Sequence, residues 1–153
     1  MTDGSGWSPQ TRAAQALGWI DPQTRAVTLP LYPSSTFIRD PDNQYRTGFS
    51  YARDENPTFA QAEALLCSLE GGAAALVFAS GMAAATAVFM AFGPGAHVVV
   101  PEVMYWGLRK WLEGPGRQWG LDITSVETGD LDALQTAVRP GQTRLVWVET
   151  PAN

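Results

Sequence analysis

The sequence predicts an α/β fold with a parallel sheet, preceded by an extended N-terminal arm. Three observations carry this expectation. From residue 56 onward, short and nearly continuous apolar runs alternate with longer segments of helical spacing. Glycine and proline punctuate most of the junctions between them. Before residue 56 no pattern survives, because Pro9, Pro22, Pro30, Pro33 and Pro41 interrupt every short run, and proline lacks the N–H that helices and sheets use. Runs that are apolar on both faces belong to strands covered from two sides. Parallel strands are joined by right-handed crossovers about a helix long.

The elements follow in order. Asn56-Pro57-Thr58 marks a helix start, with Thr58 as the capping side chain and Pro57 steering its predecessor away from helix. Phe59, Ala62, Leu65, Leu66 and Leu69 then recur at helical spacing, and Gly71-Gly72 stops the helix. Residues 74–79 (Ala-Ala-Leu-Val-Phe-Ala) predict a short buried strand, Ser80-Gly81 a turn, and residues 82–92 a buried, alanine-rich helix ended by Gly93-Pro94-Gly95. Residues 97–100 predict a second strand. Residues 107–113 predict a helix with Leu108, Trp111 and Leu112 on one face. Residues 122–126 predict a third strand, residues 130–138 a helix with Asp130 as its cap, and residues 144–149 a fourth strand. The expected organisation is an arm over residues 1–55, unable to stabilise itself and lying across the domain or a neighbouring subunit, followed by a domain over residues 56–153.

Composition narrows the function. At 153 residues and 45% apolar content the chain suits one globular domain, long enough to bury roughly two-thirds of its unfolded surface. A net charge of −5 without a basic stripe argues against a nucleic-acid partner. The single cysteine, Cys67, cannot form an internal disulfide and lies in an apolar helical pattern, so a buried inert thiol and a cytoplasmic protein are expected. Residues 1–15 have no apolar core of a signal peptide, and the longest apolar run, residues 73–79, is too short for a membrane span. One histidine and one cysteine far apart predict no metal site.

In open parallel sheets ligands bind outside the carboxyl ends of the strands. Those ends are Ser80-Gly81, residues 101–105 and residues 149–153. Ser80-Gly81-Met82 lies where a strand gives way to a helix, whose free N–H groups and partial positive charge favour phosphate; the plain alternative is an ordinary turn. Tyr105 follows a strand into a loop at the same edge, where an aromatic ring can stack on a flat ligand or simply pack. Tyr51 and Arg53 precede the first firm helix and offer phosphate donors, unless they are only a solvated loop. Glu149 and Asn153 can orient a polar ligand group or stay in solvent. His97 opens an apolar strand and reads as structural rather than as a base.

Taken jointly, these stretches resemble the Cys/Met-metabolism (trans-sulfuration) family of pyridoxal-phosphate enzymes, to which cystathionine γ-synthases and lyases belong. The resemblance runs through residues 29–37 (Leu-Pro-Leu-Tyr-Pro-Ser-Ser-Thr-Phe), residues 51–58 (Tyr-Ala-Arg-Asp-Glu-Asn-Pro-Thr), Leu69-Glu70-Gly71-Gly72, Ser80-Gly81-Met82-Ala83-Ala84 and residues 149–153 (Glu-Thr-Pro-Ala-Asn), in that order and spacing. It implies a fold-type I large domain cut after about four strands. It further implies that Gly81 and Met82 give backbone N–H groups to the phosphate of pyridoxal 5'-phosphate, that Tyr105 stacks on its ring, and that Asn153 sits near its phenolic oxygen. Tyr51 and Arg53 would reach the phosphate held by a neighbouring subunit, which implies a homodimer or homotetramer with shared sites. The implied reaction is β- or γ-elimination or γ-replacement on a sulfur-containing or O-acylated amino acid.

Two departures stand out. Where the family has a glycine-rich turn after the stacking tyrosine, this chain has Trp106-Gly107-Leu108. The family's ring-nitrogen aspartate and Schiff-base lysine would fall beyond residue 153, and the one lysine present, Lys110, sits in the predicted helix after Tyr105. The expectation is therefore a fragment without a catalytic residue of its own, inactive alone and binding the cofactor weakly and non-covalently at best. One alternative is a non-catalytic truncated paralogue that pairs with full-length subunits. Another is an unrelated phosphate-binding α/β module.

Overall fold

A computed structural model describes residues 6–152. The chain divides into two compact units, Met1–Val77 and Phe78–Asn153.

In the first unit, part of the expected arm is helical. Helix α1 (Pro9–Ala14) is opened by Ser8, whose Oγ accepts the Thr11 N–H at 3.2 Å. Pro9 does not interrupt it, because proline at the first helical position lacks only an N–H that would have no partner there. Arg12 donates from Nη1 to the Ser68 carbonyl at 2.6 Å and to the Ser68 hydroxyl at 2.8 Å. Ser68 belongs to the last turn of α2 (Pro57–Glu70), where carbonyls lack helical partners and a cation suits the helix dipole. Gln61 of α2 donates to the Ala16 carbonyl at 2.8 Å. The segment before residue 19 is thus held on α2 by side chains that reach across more than forty residues of sequence.

The start of α2 corrects the capping assignment. Asn56, not Thr58, is the cap: its Oδ1 accepts the Thr58 N–H at 2.8 Å, and Pro57 occupies the first helical position. Asn is the stronger cap and Pro is preorganised beside it. Thr58 is freed to accept the Tyr32 N–H on its hydroxyl at 2.9 Å, while Asn56 Nδ2 donates to the Tyr32 carbonyl at 3.0 Å. Gly71 ends the helix in the left-handed region at φ 64°, as the sequence predicts. The rest of the arm doubles back on itself. Phe37 N–H bonds Ser50 O at 3.1 Å, Ala52 N–H bonds Ser35 O at 2.9 Å, and Thr36 and Tyr51 form an antiparallel bridge.

The second unit holds a three-stranded parallel sheet in the order β2-β1-β3, made of β1 (His97–Pro101), β2 (Asp122–Val126) and β3 (Thr143–Val146). Three α-helices belong to it, α3 (Gly81–Met90), α4 (Trp106–Trp111) and α5 (Leu131–Ala137), and α4 runs on into a π-helical turn, Leu112–Gly116. Every residue of β1 is buried, as a central parallel strand requires. Alternation turns Val98 and Val100 to one face, where they join Ala85 and Phe89 of α3 and Leu108 of α4 in the core. Phe89 is fully buried, 6.2 Å from the Trp111 ring and 5.2 Å from the Trp147 ring. His97 is buried at the amino end of the sheet. Its Nδ1 lies 2.7 Å from Thr143 Oγ1 and its Nε2 lies 2.8 Å from Thr124 Oγ1, so it laces all three strands together.

The expected first strand, residues 74–79, is absent. Residues 74–79 form no regular element and have no ladder partner among the described residues. A strand is defined by pairing, and an apolar run cannot supply its own partner. Leu76 is 76% exposed, and the Val77 N–H is met by a side chain, Glu63 Oε1, at 2.9 Å. Three strands therefore stand where about four were expected. Among the described residues no helix is long and apolar enough to cross a membrane.

Phe89→Ala is expected to cost about 3–5 kcal/mol, the usual toll of emptying a fully buried aromatic site. The denaturant midpoint measures it, and a loss under about 1 kcal/mol would show that the core does not rest on this ring.

Candidate functional site

Two of the three strand-end stretches singled out in the sequence, Ser80-Gly81 and Tyr105, and Glu149 of the third meet around one cavity of about 660 Å³. Ser80 is the N-cap of α3, and its Oγ accepts the Ala83 N–H at 3.1 Å. Its carbonyl accepts the Ala84 N–H at 3.1 Å. The N–H groups of Gly81 and Met82 make no hydrogen bond within the described residues. No acidic side chain lies in the first turn of α3 to compete for the positive end of its dipole. At Gly81 nothing stands within 4 Å of where a Cβ would be, so the backbone is open to close approach. Two uncommitted donors on a helix N-terminus, beside open space, suit a phosphate.

Tyr105 contributes an aromatic wall. It precedes α4 with extended backbone (φ −52°, ψ 123°) and is about half exposed. Its N–H donates to Glu149 Oε2 at 2.8 Å, and the second carboxylate oxygen of Glu149 accepts from Trp147 Nε1 at 3.0 Å. Glu149 thus spends both oxygens inside the protein and braces the loop, where the sequence left it open as a ligand contact. Trp147 lines the same cavity and was not singled out in the sequence. The signal that marks it is alternation: Leu145 and Trp147 share parity on β3 and its extension, and both pack against the core.

Lys110 does not line this cavity. It lies on α4, exposed, with Nζ 3.3 Å from Glu113 Oε2. Arg109 and Lys110 together hold the Glu113 carboxyl below the usual carboxylate range, Arg109 having the larger effect. A second cavity of about 440 Å³ borders Glu102, Arg109, Glu113 and Arg117. It has no aromatic wall, and Arg109 is committed to Glu113 at 3.0 Å.

Tyr51 and Arg53 belong to the first unit. They form a ready pair, with Arg53 Nη2 donating to the Tyr51 hydroxyl at 3.1 Å and the guanidinium 5.3 Å from the ring centre. Both are exposed. Asn153 lies outside the described residues. Among the described residues no group of three or more His, Cys, Asp or Glu side chains is placed to hold a metal.

Comparison with known proteins agrees with this geometry. The family described as Cys/Met metabolism PLP-dependent enzyme matches residues 10–153. Cystathionine gamma-synthase of Mycobacterium tuberculosis is 46% identical over 146 residues, covering 95% of this chain and 37% of that protein. Cystathionine gamma-lyase of Bacillus subtilis is 39% identical over 133 residues, covering 87% of this chain and 35% of that protein. The crystal structure of metB from Corynebacterium glutamicum superposes with a TM-score of 0.90 at 32% identity, covering 99% of this chain and 39% of that one. The chain therefore spans a little over a third of the length of the curated relatives it matches.

Ser80→Ala is expected to lower stability by about 1 kcal/mol through loss of the α3 cap, and Ser80→Gly by only a few tenths. Thermal midpoints of the two variants compare them, and equal losses would show that Ser80 acts otherwise than as a cap.

Proposed function

The chain belongs to the Cys/Met-metabolism family of PLP-dependent enzymes, and on that premise we propose that the whole protein is a trans-sulfuration enzyme of the cystathionine γ-synthase or C–S lyase type. It acts on sulfur-containing or O-acylated amino acids by β- or γ-elimination or by γ-replacement. The single observation that carries this reading is the convergence of two free N–H donors, an aromatic wall and a braced carboxylate on one cavity.

The residues present fit pyridoxal 5'-phosphate. The Gly81 and Met82 N–H groups bind phosphate oxygens with the α3 dipole behind them, and Ser80 keeps that turn shaped by capping it. Tyr105 offers its ring face to the pyridine plane. The Ala85, Val88 and Leu108 side chains and the Trp147 indole make the wall apolar and exclude water. When bound, the cofactor supplies an electron sink for the substrate α-carbon. Proton transfer needs a base that touches the reacting atoms. Lys110 is ion-paired on the surface of α4, so these residues by themselves bind the cofactor weakly and without a covalent bond, and do not turn over substrate. A borohydride-reducible adduct on Lys110 that supported turnover would overturn this.

The protein acts as a cytoplasmic homodimer or homotetramer with shared sites. Tyr51 and Arg53 serve the phosphate of the neighbouring subunit, and the arm over residues 1–55 is the inter-subunit element of a cofactor domain that begins at residue 56. Support comes from the exposure and mutual bonding of Tyr51 and Arg53, which leave most of the guanidinium donors free. Asn153 is proposed to sit near the ring's phenolic oxygen.

In the whole protein, Tyr105→Ala is expected to weaken cofactor binding about two- to tenfold, the worth of one aromatic stack. Titration of the apoprotein measures it, and unchanged affinity removes Tyr105 from the site. At a cofactor concentration too low to load either variant alone, mixing Arg53→Ala subunits with Tyr105→Ala subunits is expected to restore about a quarter of the wild-type sites if each site draws on two chains. No recovery after subunit exchange would place Arg53 and Tyr105 in the same site of one chain. A native product of about 16.5 kDa that co-purifies with longer relatives would favour the non-catalytic partner instead.

A further inference from the structure

We propose that Gly107 and Glu149 are positioning residues that set the ring of Tyr105 against the cavity, a role that rests on the reading of Tyr105 as the stacking aromatic. Two observations carry it independently. The first is the space at residue 107. A Cβ built on Gly107 would lie 2.7 Å from Cε1, 3.1 Å from Cζ and 3.3 Å from the hydroxyl oxygen of Tyr105. The tyrosine ring therefore lies flush on the backbone of the first turn of α4, in volume that any other residue would fill. Glycine is not needed there for its backbone: residue 107 is inside α4 and is not among the glycines at positive φ. Gly107 is the second residue of α4, where alanine has the better helix propensity. A glycine that destabilises its own helix and clears room for one ring is explained by the ring.

The second observation is the anchor at residue 105 itself. The Tyr105 N–H is held by Glu149 from across 44 residues of sequence, and Glu149 is held in turn by the Trp147 indole. A charge-assisted bond to a carboxylate with both oxygens engaged fixes where the backbone of the loop sits. The Tyr105 hydroxyl makes no hydrogen bond within the described residues, so no polar contact of its own orients the ring. Glu149 sets the pivot, Gly107 sets the seat, and the ring is confined between them. Trp106, 70% exposed, takes the place between seat and pivot without touching either role.

The test uses the whole protein and three variants, Gly107→Ala, Glu149→Gln and Tyr105→Ala. Cofactor affinity is read by titrating pyridoxal phosphate into the apoprotein, ring orientation by the circular dichroism of the bound chromophore, and fold by the thermal midpoint. Gly107→Ala is expected to hold or raise the midpoint while weakening affinity about two- to tenfold and changing the dichroism. In the Tyr105→Ala background the same substitution is expected to add no further loss, because the ring it displaces is gone. Glu149→Gln keeps the shape and one acceptor but loses the indole's partner, so a smaller loss of affinity and a shifted Trp147 emission are expected.

The outcomes separate cleanly. If Tyr105→Ala leaves affinity unchanged, the stacking reading itself fails and the positioning role falls with it. If Tyr105→Ala weakens binding while Gly107→Ala does not, the stacking reading stands and the seat is refuted. A lowered midpoint for Gly107→Ala places the cost in the helix rather than the ring and overturns the proposal. So does an equal loss in both backgrounds. Unchanged dichroism and affinity in Glu149→Gln refute the pivot separately.

Discussion

Parallel pairing along both edges of β1 is the constraint on which the second unit depends. β1 is buried from end to end, so both neighbours must be strands and both faces must be covered. Parallel neighbours cannot be joined by hairpins, and each connection must climb back over the sheet through a helix. The carboxyl ends of all strands then share one rim. Tyr105 follows β1 onto that rim, Trp147 and Glu149 extend β3 onto it, and the N-terminus of α3 faces the same cavity. The register between β1 and β3 slips once after His97, then pairs Val98 with Leu145. That slip keeps Leu145 and, two residues on, Trp147 on the core face with Val98 and Val100.

The two ends of the sheet differ in how their polar groups are used. At the amino end His97 is satisfied at both ring nitrogens by Thr124 and Thr143, and Thr143 also accepts the Arg139 N–H at 2.7 Å. Neither ring nitrogen of His97 is left without a partner. At the carboxyl end the Gly81 and Met82 N–H groups make no hydrogen bond among the described residues, and Glu149, the carboxylate lining the cavity, is occupied in bracing Tyr105 and Trp147. The room for an anion follows from this imbalance rather than from any unusual residue. The exposed ion pairs, Arg139 with Asp122 and Arg109 with Glu113, contribute little to holding the fold, since solvent screens such pairs to about 0–1 kcal/mol.

Much of this was legible in the sequence because it is local. The helical spacing from Phe59 to Leu69, the glycine stop at Gly71 and the cap at Asp130 all report on residues within a turn of one another, and each forms as read. The start of α3 was legible for the same reason, since a capping serine followed by glycine is a short local signal. The misreadings share the opposite cause. Residues 74–79 have a strand's composition without a strand's partner. Pro9 was read as a breaker, whereas the helix begins at it and is held by Arg12 on Ser68. Thr58 was read as a cap, whereas the hydroxyl answers Tyr32, 26 residues away.

The sequence by itself determined the helices and strands from residue 97 onward, the long helix ended at Gly71, and the residue types able to receive an anion and a flat ring. Tertiary structure alone decided which apolar run became a strand, which asparagine capped α2, and why residue 107 is a glycine. It also decided that Glu149 serves Tyr105 rather than a ligand. The physical reason is range. Periodicity and capping are settled by neighbours three or four residues apart. A ladder partner, a ring lying on a backbone, and a carboxylate 44 residues from the N–H it accepts are settled only once the chain has closed on itself.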